Sequence, residues 1–211
     1  LRPDHRFFKW YGGFFRKTLR QFDFFFVQNQ ETAKLLESIG ISECEITGDN
    51  RFDRVIENKD SLQVDQRILS FVGASTSVFI AGSTWEVDEK IILPFTNSTT
   101  FEKTIIAPHT IDEKHIQSIQ QQLTIPAIRY SKLDNLSNEN VLILDTIGQL
   151  ASAYSVGQLA YVGGGFTGNL HNILEPAVFG LPVLFGPKHL RFPEANAFIN
   201  EGFGMEVTSL E

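Results

Sequence analysis

Short apolar segments alternate with amphipathic ones between residues 78 and 201, and this alternation restricts the fold more than any other feature of the chain. The pattern predicts strands at residues 78–81, 104–107, 127–130, 141–144, 159–162 and 182–185. It predicts helices at residues 112–123, 147–154, 172–179 and 192–201. Short apolar strands separated by helices indicate a parallel sheet covered on both faces. We therefore expect an α/β fold in which ligands bind beyond the carboxyl ends of the strands.

A shorter segment with a similar pattern precedes this region. Residues 22–27 and 45–47 are predicted strands, and residues 31–39 are a predicted helix that Asn29 can cap and Gly40 can end. The turn-favouring run Gly48-Asp49-Asn50 follows the second strand. We place a domain boundary there, so that residues 1–48 end one domain and residues 49–211 form another.

The charge of the chain is unevenly distributed. The formal net charge is −7, but residues 1–21 hold six basic residues against one acidic residue, a net +5, which leaves −12 for the remainder. An acidic body argues against nucleic-acid binding. The basic residues 1–21, hereafter the basic aromatic segment, also contain six phenylalanine, tryptophan and tyrosine side chains. This mixture is typical of a membrane interface, but the same rings could instead pack on another domain.

Polar residues follow the first two strands of the larger predicted sheet. The first of these strands is followed by Gly82, Ser83 and Thr84 and then by a predicted helix start. An anion could approach the backbone at the glycine and accept hydrogen bonds from the two hydroxyls and from the helix N–H groups. The alternative is that Ser83 or Thr84 only caps the helix. His109 follows the second strand and could donate to a phosphate or a carboxylate, or could simply be solvated.

The densest motif runs from residue 161 to residue 176, from a strand through a glycine-rich loop into a predicted helix. Its glycines, Gly163, Gly165 and Gly168, match the G-x-G-x-x-G pattern of dinucleotide sites. Such sites need an acidic residue at the end of the next strand, and here that strand ends at Phe185-Gly186. The sequence therefore argues against a dinucleotide site.

The second half of this motif indicates a nucleotide sugar instead. His171 and Asn172 stand at the predicted helix start, and Glu175 follows one turn later on the same face. A carboxylate there could accept both hydroxyls of a ribose while the helix N-terminus faces a phosphate. The alternative, an acid that merely complements the helix dipole, accounts for Glu175 but leaves His171 and the glycines unexplained.

A further loop, residues 145–148, also joins a strand to a helix. Its backbone, including Gly148, could contact a base or a ribose. The alternative is that Asp145 or Thr146 caps the helix.

Six motifs resemble, in composition and order, those of bacterial 3-deoxy-D-manno-octulosonic acid (Kdo) transferases. They are QNQE at residues 28–31, TGDNRFD at 47–53, GST at 82–84, DTIG at 145–148, HNILEP at 171–176 and LFGP at 184–187. The resemblance covers nearly the whole chain and implies a GT-B glycosyltransferase, which has two Rossmann-like domains. Residues 1–48 would then end the N-terminal acceptor domain, and residues 49–211 would form a nucleotide-sugar domain truncated at its C-terminus.

The resemblance also implies a reaction. Kdo would pass from CMP-Kdo to a lipid A precursor with inversion, without a metal ion or another cofactor, at the cytoplasmic face of the bacterial inner membrane. The basic aromatic segment would make the peripheral membrane contact. The alternatives are another GT-B nucleotide-sugar enzyme, such as an epimerase or a transferase with a UDP-sugar donor, and a non-catalytic scaffold that docks on a membrane.

Carried onto matching positions, the resemblance assigns Gly82, Ser83 and Thr84 to the CMP phosphate or to Kdo. It assigns Asn172 and Glu175 to the nucleotide, with Gly164 and Gly165 letting the nucleotide approach the backbone. Some residues depart from the family pattern. Pro108 precedes His109 where an arginine is frequent, Trp85 stands where a histidine is common, and Asp88 replaces a glutamate.

The resemblance assigns no catalytic residue to this chain. The family's base is a glutamate near the start of the N-terminal domain, before the region matched here. We therefore expect the chain to contribute donor binding and leaving-group stabilisation, without turnover by itself.

Overall fold

The computed structural model of the protein describes residues 1–98, 100–134 and 138–209. The chain forms two compact units, Leu1–Arg54 and Val55–Glu211. These units divide within helix α3 (Asn50–Asp60), whereas the sequence predicts a boundary between residues 48 and 49. Gly48 has a left-handed φ of 83° just before α3. The chain therefore turns near the predicted boundary, but α3 continues through the point of division.

The first unit is a small parallel α/β arrangement. Its elements are α1 (Gly13–Leu19), β1 (Phe25–Val27), α2 (Gln30–Glu37) and β2 (Cys44–Ile46), with β1 and β2 paired in parallel. Asn29 caps α2, because its side chain accepts a hydrogen bond from the Thr32 N–H at 2.9 Å. The buried core of this unit consists of Leu19, Val27, Leu36, Ile39 and Ile41.

The second unit is built on a seven-stranded sheet in which every pairing is parallel. Its strands are β3 (Val78–Thr84), β4 (Lys103–Pro108), β5 (Ala127–Arg129), β6 (Val141–Ile143), β7 (Leu159–Val162), β8 (Val183–Phe185) and β9 (Gly204–Glu206). Its further helices are α4 (Gln66–Val72), α5 (Glu86–Ser98), α6 (Glu113–Gln122), α7 (Leu150–Ser155), α8 (Leu174–Ala177) and α9 (Pro193–Glu201). The predicted α/β class is confirmed.

Alternate residues of the central strand β3 pack against opposite faces of the sheet. Val78 and Ile80 join the core formed with α4 and α7, whereas Phe79 and Ala81 join the core formed with α5 and α6. All four side chains are at most 1% exposed. This two-sided burial is why residues 78–81 are all apolar, rather than apolar at every second position.

The strand order is β5-β6-β4-β3-β7-β8-β9, a Rossmann order with β5 added at one edge. The chain moves outward from β3 on one side through β4 and then continues on the other side from β7. Such a reversal leaves a crevice at the carboxyl ends of the two central strands, where ligands bind in open α/β sheets. The crevice between β3 and β7 is thus the expected ligand position.

Several elements differ from the sequence prediction, which did not include the helices α1, α3 and α4. The helix predicted at residues 172–179 is reduced to the four residues of α8, because residues 177–181 close in tight turns around Gly180, whose φ is 82°. Strand β9, with the sequence Gly-Met-Glu, was not predicted, since it lacks a run of apolar residues. Within the described residues, no helix is long and apolar enough to span a bilayer.

Candidate functional site

The end of β3 is hydrogen-bonded to the loops that follow β4 and β7 at the expected crevice. The Gly163 N–H donates to the Gly82 carbonyl at 2.9 Å, and the His109 N–H donates to the Thr84 carbonyl at 2.8 Å. Gly82 and the glycine-rich loop are therefore adjacent, as a shared ligand site requires.

Strand β3 ends in a bulge that places Ser83 in an unusual conformation. The register of β3 against β4 shifts between Gly82 and Thr84, and Ser83 has a φ of 54°. Among the described residues, Ser83 is the one non-glycine residue with positive φ. Such conformations cost about 1–3 kcal/mol and are concentrated at functional sites. Ser83 is also partly exposed, so its side chain can meet a ligand.

The two neighbours of Ser83, Gly82 and Thr84, contact buried residues of the protein. Thr84 is 0% exposed, and its hydroxyl donates to Glu89 Oε1 at 3.0 Å. A β-carbon at Gly82 would lie 1.9 Å from the Tyr154 hydroxyl oxygen, so that glycine is required by internal packing. The Thr84 hydroxyl is used by Glu89 here, so its predicted contact with a ligand stays a prediction, and the partly exposed Ser83 offers the more accessible hydroxyl.

The N-terminus of α5 carries three of the chain's own carboxylates, and the expected binding of an anion by its free N–H groups stays a prediction. Its first turn contains Glu86, Asp88 and Glu89. Asp88 is 0% exposed and accepts hydrogen bonds from the Trp85 N–H at 2.9 Å, the Gly164 N–H at 3.0 Å and the Tyr161 hydroxyl at 2.6 Å. This carboxylate connects α5 to the glycine-rich loop.

The glycine-rich loop is packed tightly against the chain itself. A β-carbon at Gly164 would lie 2.1 Å from the Asn169 carbonyl oxygen, and one at Gly165 would lie 2.4 Å from the Gly186 nitrogen. Gly164 also has a φ of 89°. Internal packing therefore explains both glycines, and their predicted contact with a nucleotide stays a prediction.

Three aromatic rings meet at the exposed side of the crevice. The Trp85 ring stacks on His109 with centroids 4.0 Å apart, and the His109 and His171 centroids lie 4.6 Å apart. The Trp85 indole N–H donates to His171 Nε2 at 3.1 Å. Burial, together with the charge of neighbouring His109, lowers the pKa of His171. The two histidines predicted separately from sequence are thus parts of one cluster, joined by a tryptophan that the prediction did not include.

Asn172 and Glu175 form a second part of the site. The Asn172 side-chain amide donates to Glu175 Oε1 at 3.2 Å, and its carbonyl oxygen accepts from the Leu174 N–H at 3.2 Å. Protein atoms around the carboxylate raise the pKa of Glu175 by desolvation, although its side chain still reaches solvent. Because α8 has only four residues, the expected helix dipole contributes little, and binding would depend on the side chains.

A pocket of about 250 Å³ adjoins Glu175. It contains the predicted residues Gly148 and Glu175, and also Val55, Asn58, Lys59, Leu150, Ala151, Val178 and Phe179. Gly148 is exposed with a φ of 106°. Asn58 and Lys59 were missed in the sequence analysis, because exposed polar residues on a helix look like an ordinary solvated face. In the part of the chain that is described, no group of three or more His, Cys, Asp or Glu side chains could hold a metal ion.

Comparison with known proteins gives a consistent result for both units. Residues 3–54 match a family described as 3-deoxy-D-manno-octulosonic-acid transferase (kdotransferase). A bifunctional glycosyltransferase/methyltransferase of Fusobacterium nucleatum is 25% identical over 93% of this chain and 32% of its own length. Two 3-deoxy-D-manno-octulosonic acid transferases are also similar. That of Aquifex aeolicus is 26% identical over 93% of this chain and 53% of its own length. The transferase of Rickettsia prowazekii is 28% identical over 82% of this chain and 39% of its own length.

A solved structure is similar to three quarters of the chain. It is the C-terminal CMP-Kdo binding domain of WaaA from Acinetobacter baumannii, with a TM-score of 0.60 and 25% identity over 75% of this chain and 84% of that one. The predicted GT-B class is confirmed by this likeness. The chain spans between 32% and 53% of the length of the three relatives described above.

Proposed function

We propose that this relative of the Kdo transferases binds CMP-Kdo at the crevice between β3 and β7, as the donor-binding part of a glycosyltransferase. The observation that carries the proposal is the position of Glu175. Its carboxylate lies in the pocket with Gly148 and is connected through Asn172 to the loop that carries His171. The likeness to a CMP-Kdo binding domain supports the choice of nucleotide sugar.

The pocket beside Glu175 and the ring cluster, which consists of Trp85, His109 and His171, can bind different parts of the donor. Glu175 can accept hydrogen bonds from both ribose hydroxyls, and the exposed backbone around Gly148 can contact the base. Ser83, His109 and His171 can donate to the phosphate or to the Kdo carboxylate. Donors at the phosphate would stabilise the negative charge that develops on CMP as it leaves.

The complete reaction is part of the same proposal. Kdo would be transferred to a lipid A precursor by direct displacement, with inversion at the anomeric carbon and without a metal ion. We assign no catalytic base to the described residues, so this chain by itself should bind the donor without turnover.

Calorimetric titration tests the donor. The chain should bind CMP and CMP-Kdo, and it should bind UDP and UDP-sugars at least tenfold more weakly. Preference for a UDP-sugar would favour the other GT-B enzymes, and the absence of binding to any nucleotide would contradict the proposal. A Glu175→Gln variant should lose CMP affinity, whereas Glu201→Gln, at an exposed glutamate that ends α9, should not.

We also propose that the first unit contacts the cytoplasmic face of the inner membrane. Trp10 is 93% exposed and Phe14 is 76% exposed, beside Lys9 and Lys17. Rings at headgroup depth and cations facing anionic lipid are the usual basis of such contacts. Sedimentation with vesicles of anionic lipid should therefore capture the chain, and reversing the charges of Arg16, Lys17 and Arg20 should release it. Capture that survives this reversal would contradict the electrostatic contribution.

A further inference from the structure

The hydrogen bond from Trp85 to His171 restricts which protons His171 can carry. An indole N–H can only donate, so His171 Nε2 must accept with an unprotonated lone pair. A neutral imidazole holds one proton, which must then be on Nδ1. The structure therefore selects one tautomer of one charge state.

The surroundings of His171 favour the same state. The charged groups that act on it are His109, after β4, and Asp88, at the start of α5. Burial and the charge of His109 lower the pKa of His171, and together they outweigh the opposite effect of Asp88. Protonation at Nε2 would also place two N–H groups against each other across the 3.1 Å contact with Trp85.

The Nδ1 atom remains free to donate. Across residues 1–98, 100–134 and 138–209, no protein group forms a hydrogen bond with His171 Nδ1, while the backbone N–H of His171 donates to the Gly163 carbonyl at 3.1 Å. His171 is partly exposed and lies beside His109 in the crevice. His171 is thus held by hydrogen bonds at its backbone N–H and at ring atom Nε2, and its Nδ1–H is left to donate to a ligand.

We infer that Trp85 is a positioning residue that holds His171 as the neutral Nδ1–H tautomer, so that His171 gives an anionic group of the donor one hydrogen bond and no charge. The inference rests on the proposed function for its ligand. The anionic group is either the phosphate or the sugar carboxylate, which present the same kind of oxygen acceptor.

NMR of the ligand-free chain tests the tautomer directly. With ¹⁵N-labelled histidine at neutral pH, His171 should show a pyrrole-type Nδ1 and a pyridine-type Nε2, assigned by loss of these signals in His171→Gln. A protonated Nε2, in either a neutral or a charged ring, would overturn the inference. This measurement needs no variant at Trp85 and no ligand.

Two variants separate the N–H group from the ring. Trp85→Phe keeps an aromatic ring against His109 but removes the donor, so the Nδ1–H signature of His171 should be lost. Trp85→His should restore it, because Nε2 of histidine and Nε1 of tryptophan are both two bonds from Cγ in a five-membered ring. An unchanged His171 spectrum in a folded Trp85→Phe chain would overturn the role of Trp85.

Binding measurements with three probes identify the anionic group. Trp85→Phe should bind CMP-Kdo roughly five- to tenfold more weakly than the wild type, the effect of one neutral hydrogen bond. A loss already present with CMP assigns the phosphate, and a loss found only with CMP-Kdo assigns the carboxylate. An equal loss with cytidine, or no loss with any probe, would overturn donation by His171. A wild type that binds neither CMP nor CMP-Kdo would contradict the proposed function. The NMR comparison of His171 in the wild type and in Trp85→Phe would still test the role of Trp85.

Discussion

The buried carboxylate of Asp88 accepts a hydrogen bond from the backbone N–H of Gly164 at 3.0 Å, across 76 residues of sequence. The same carboxylate accepts from the Trp85 N–H and the Tyr161 hydroxyl. One side chain therefore sets the distance between the start of α5, next to Trp85, and the glycine-rich loop. The shape of the candidate site depends on this internal contact as much as on the residues that face a ligand.

Asp88→Asn should destabilise the chain by about 1–3 kcal/mol, because a neutral amide oxygen is a weaker acceptor for the Trp85 and Gly164 N–H groups than the carboxylate. Tyr161→Phe removes only one of the three partners of Asp88 and should cost about 1 kcal/mol. The free energies of unfolding can be measured in urea. Equal stabilities of the wild type and Asp88→Asn would show that the three bonds are not formed in solution.

Ser83→Ala and Thr84→Val should have opposite consequences. Ser83→Ala should weaken CMP binding about fivefold with little change in stability, since the Ser83 side chain is partly exposed. Thr84→Val should leave binding nearly unchanged and reduce stability by about 1–3 kcal/mol, because it removes the donor to buried Glu89. Parallel titrations and denaturation curves measure both effects. A reversed result would place the Thr84 hydroxyl, rather than that of Ser83, at the ligand.

Gly82→Ala should destabilise the chain by about 1–3 kcal/mol through overpacking against Tyr154. Combining it with Tyr154→Phe should recover part of the loss, because the atom at 1.9 Å is the hydroxyl oxygen. Gly13→Ala is the control, since a β-carbon there would meet nothing within 4 Å. Additive effects of Gly82→Ala and Tyr154→Phe would contradict the packing argument.

CMP affinity should fall as the pH decreases, and the fall should begin above the range in which an ordinary glutamate titrates. The pKa of Glu175 is raised by desolvation, and its protonated form is a poorer acceptor for the ribose hydroxyls. Glu175→Gln should bind CMP about tenfold more weakly at neutral pH and lose this pH dependence. An unchanged pH profile in Glu175→Gln would assign the titration to another group.

The effect of Glu175 on stability should have the opposite sign. Its folded-state pKa is above the unfolded value, so the folded chain binds this proton more tightly. The resulting stabilisation is fully present below the unfolded pKa and is lost as the pH rises through the folded pKa. Denaturation at several pH values should show that Glu175→Gln removes this slope, whereas a slope retained in the variant would contradict it.

The sheet could be predicted because its strands are buried on both faces. Residues 78–81 of β3 and all four residues of β7 form uninterrupted apolar runs, and this pattern is visible in the sequence. Strand β9 and the short α8 could not be predicted in the same way. The first has no apolar run, and the second is limited by turns around Gly180 that depend on local backbone geometry.

The candidate site was predictable where residues follow strands, and not where it depends on distant pairs. Ser83, His109 and His171 stand at strand ends or in the loop after a strand, so topology alone brings them together. The contact between Trp85 and His171 spans 86 residues, and no periodicity indicates it. The glycines were predicted to face a ligand, but a β-carbon at several of them would meet other atoms of the chain, such as the Tyr154 hydroxyl at Gly82. Such packing between distant segments is not visible in the sequence.

A crystal structure of the chain with CMP bound tests the central claim most directly. The ribose hydroxyls should lie within hydrogen-bonding distance of the Glu175 carboxylate, and the phosphate should be directed toward Ser83, His109 and His171. CMP bound away from Glu175, or a ribose held by other residues while Glu175 remains paired only with Asn172, would contradict the assignment of this crevice as the donor site.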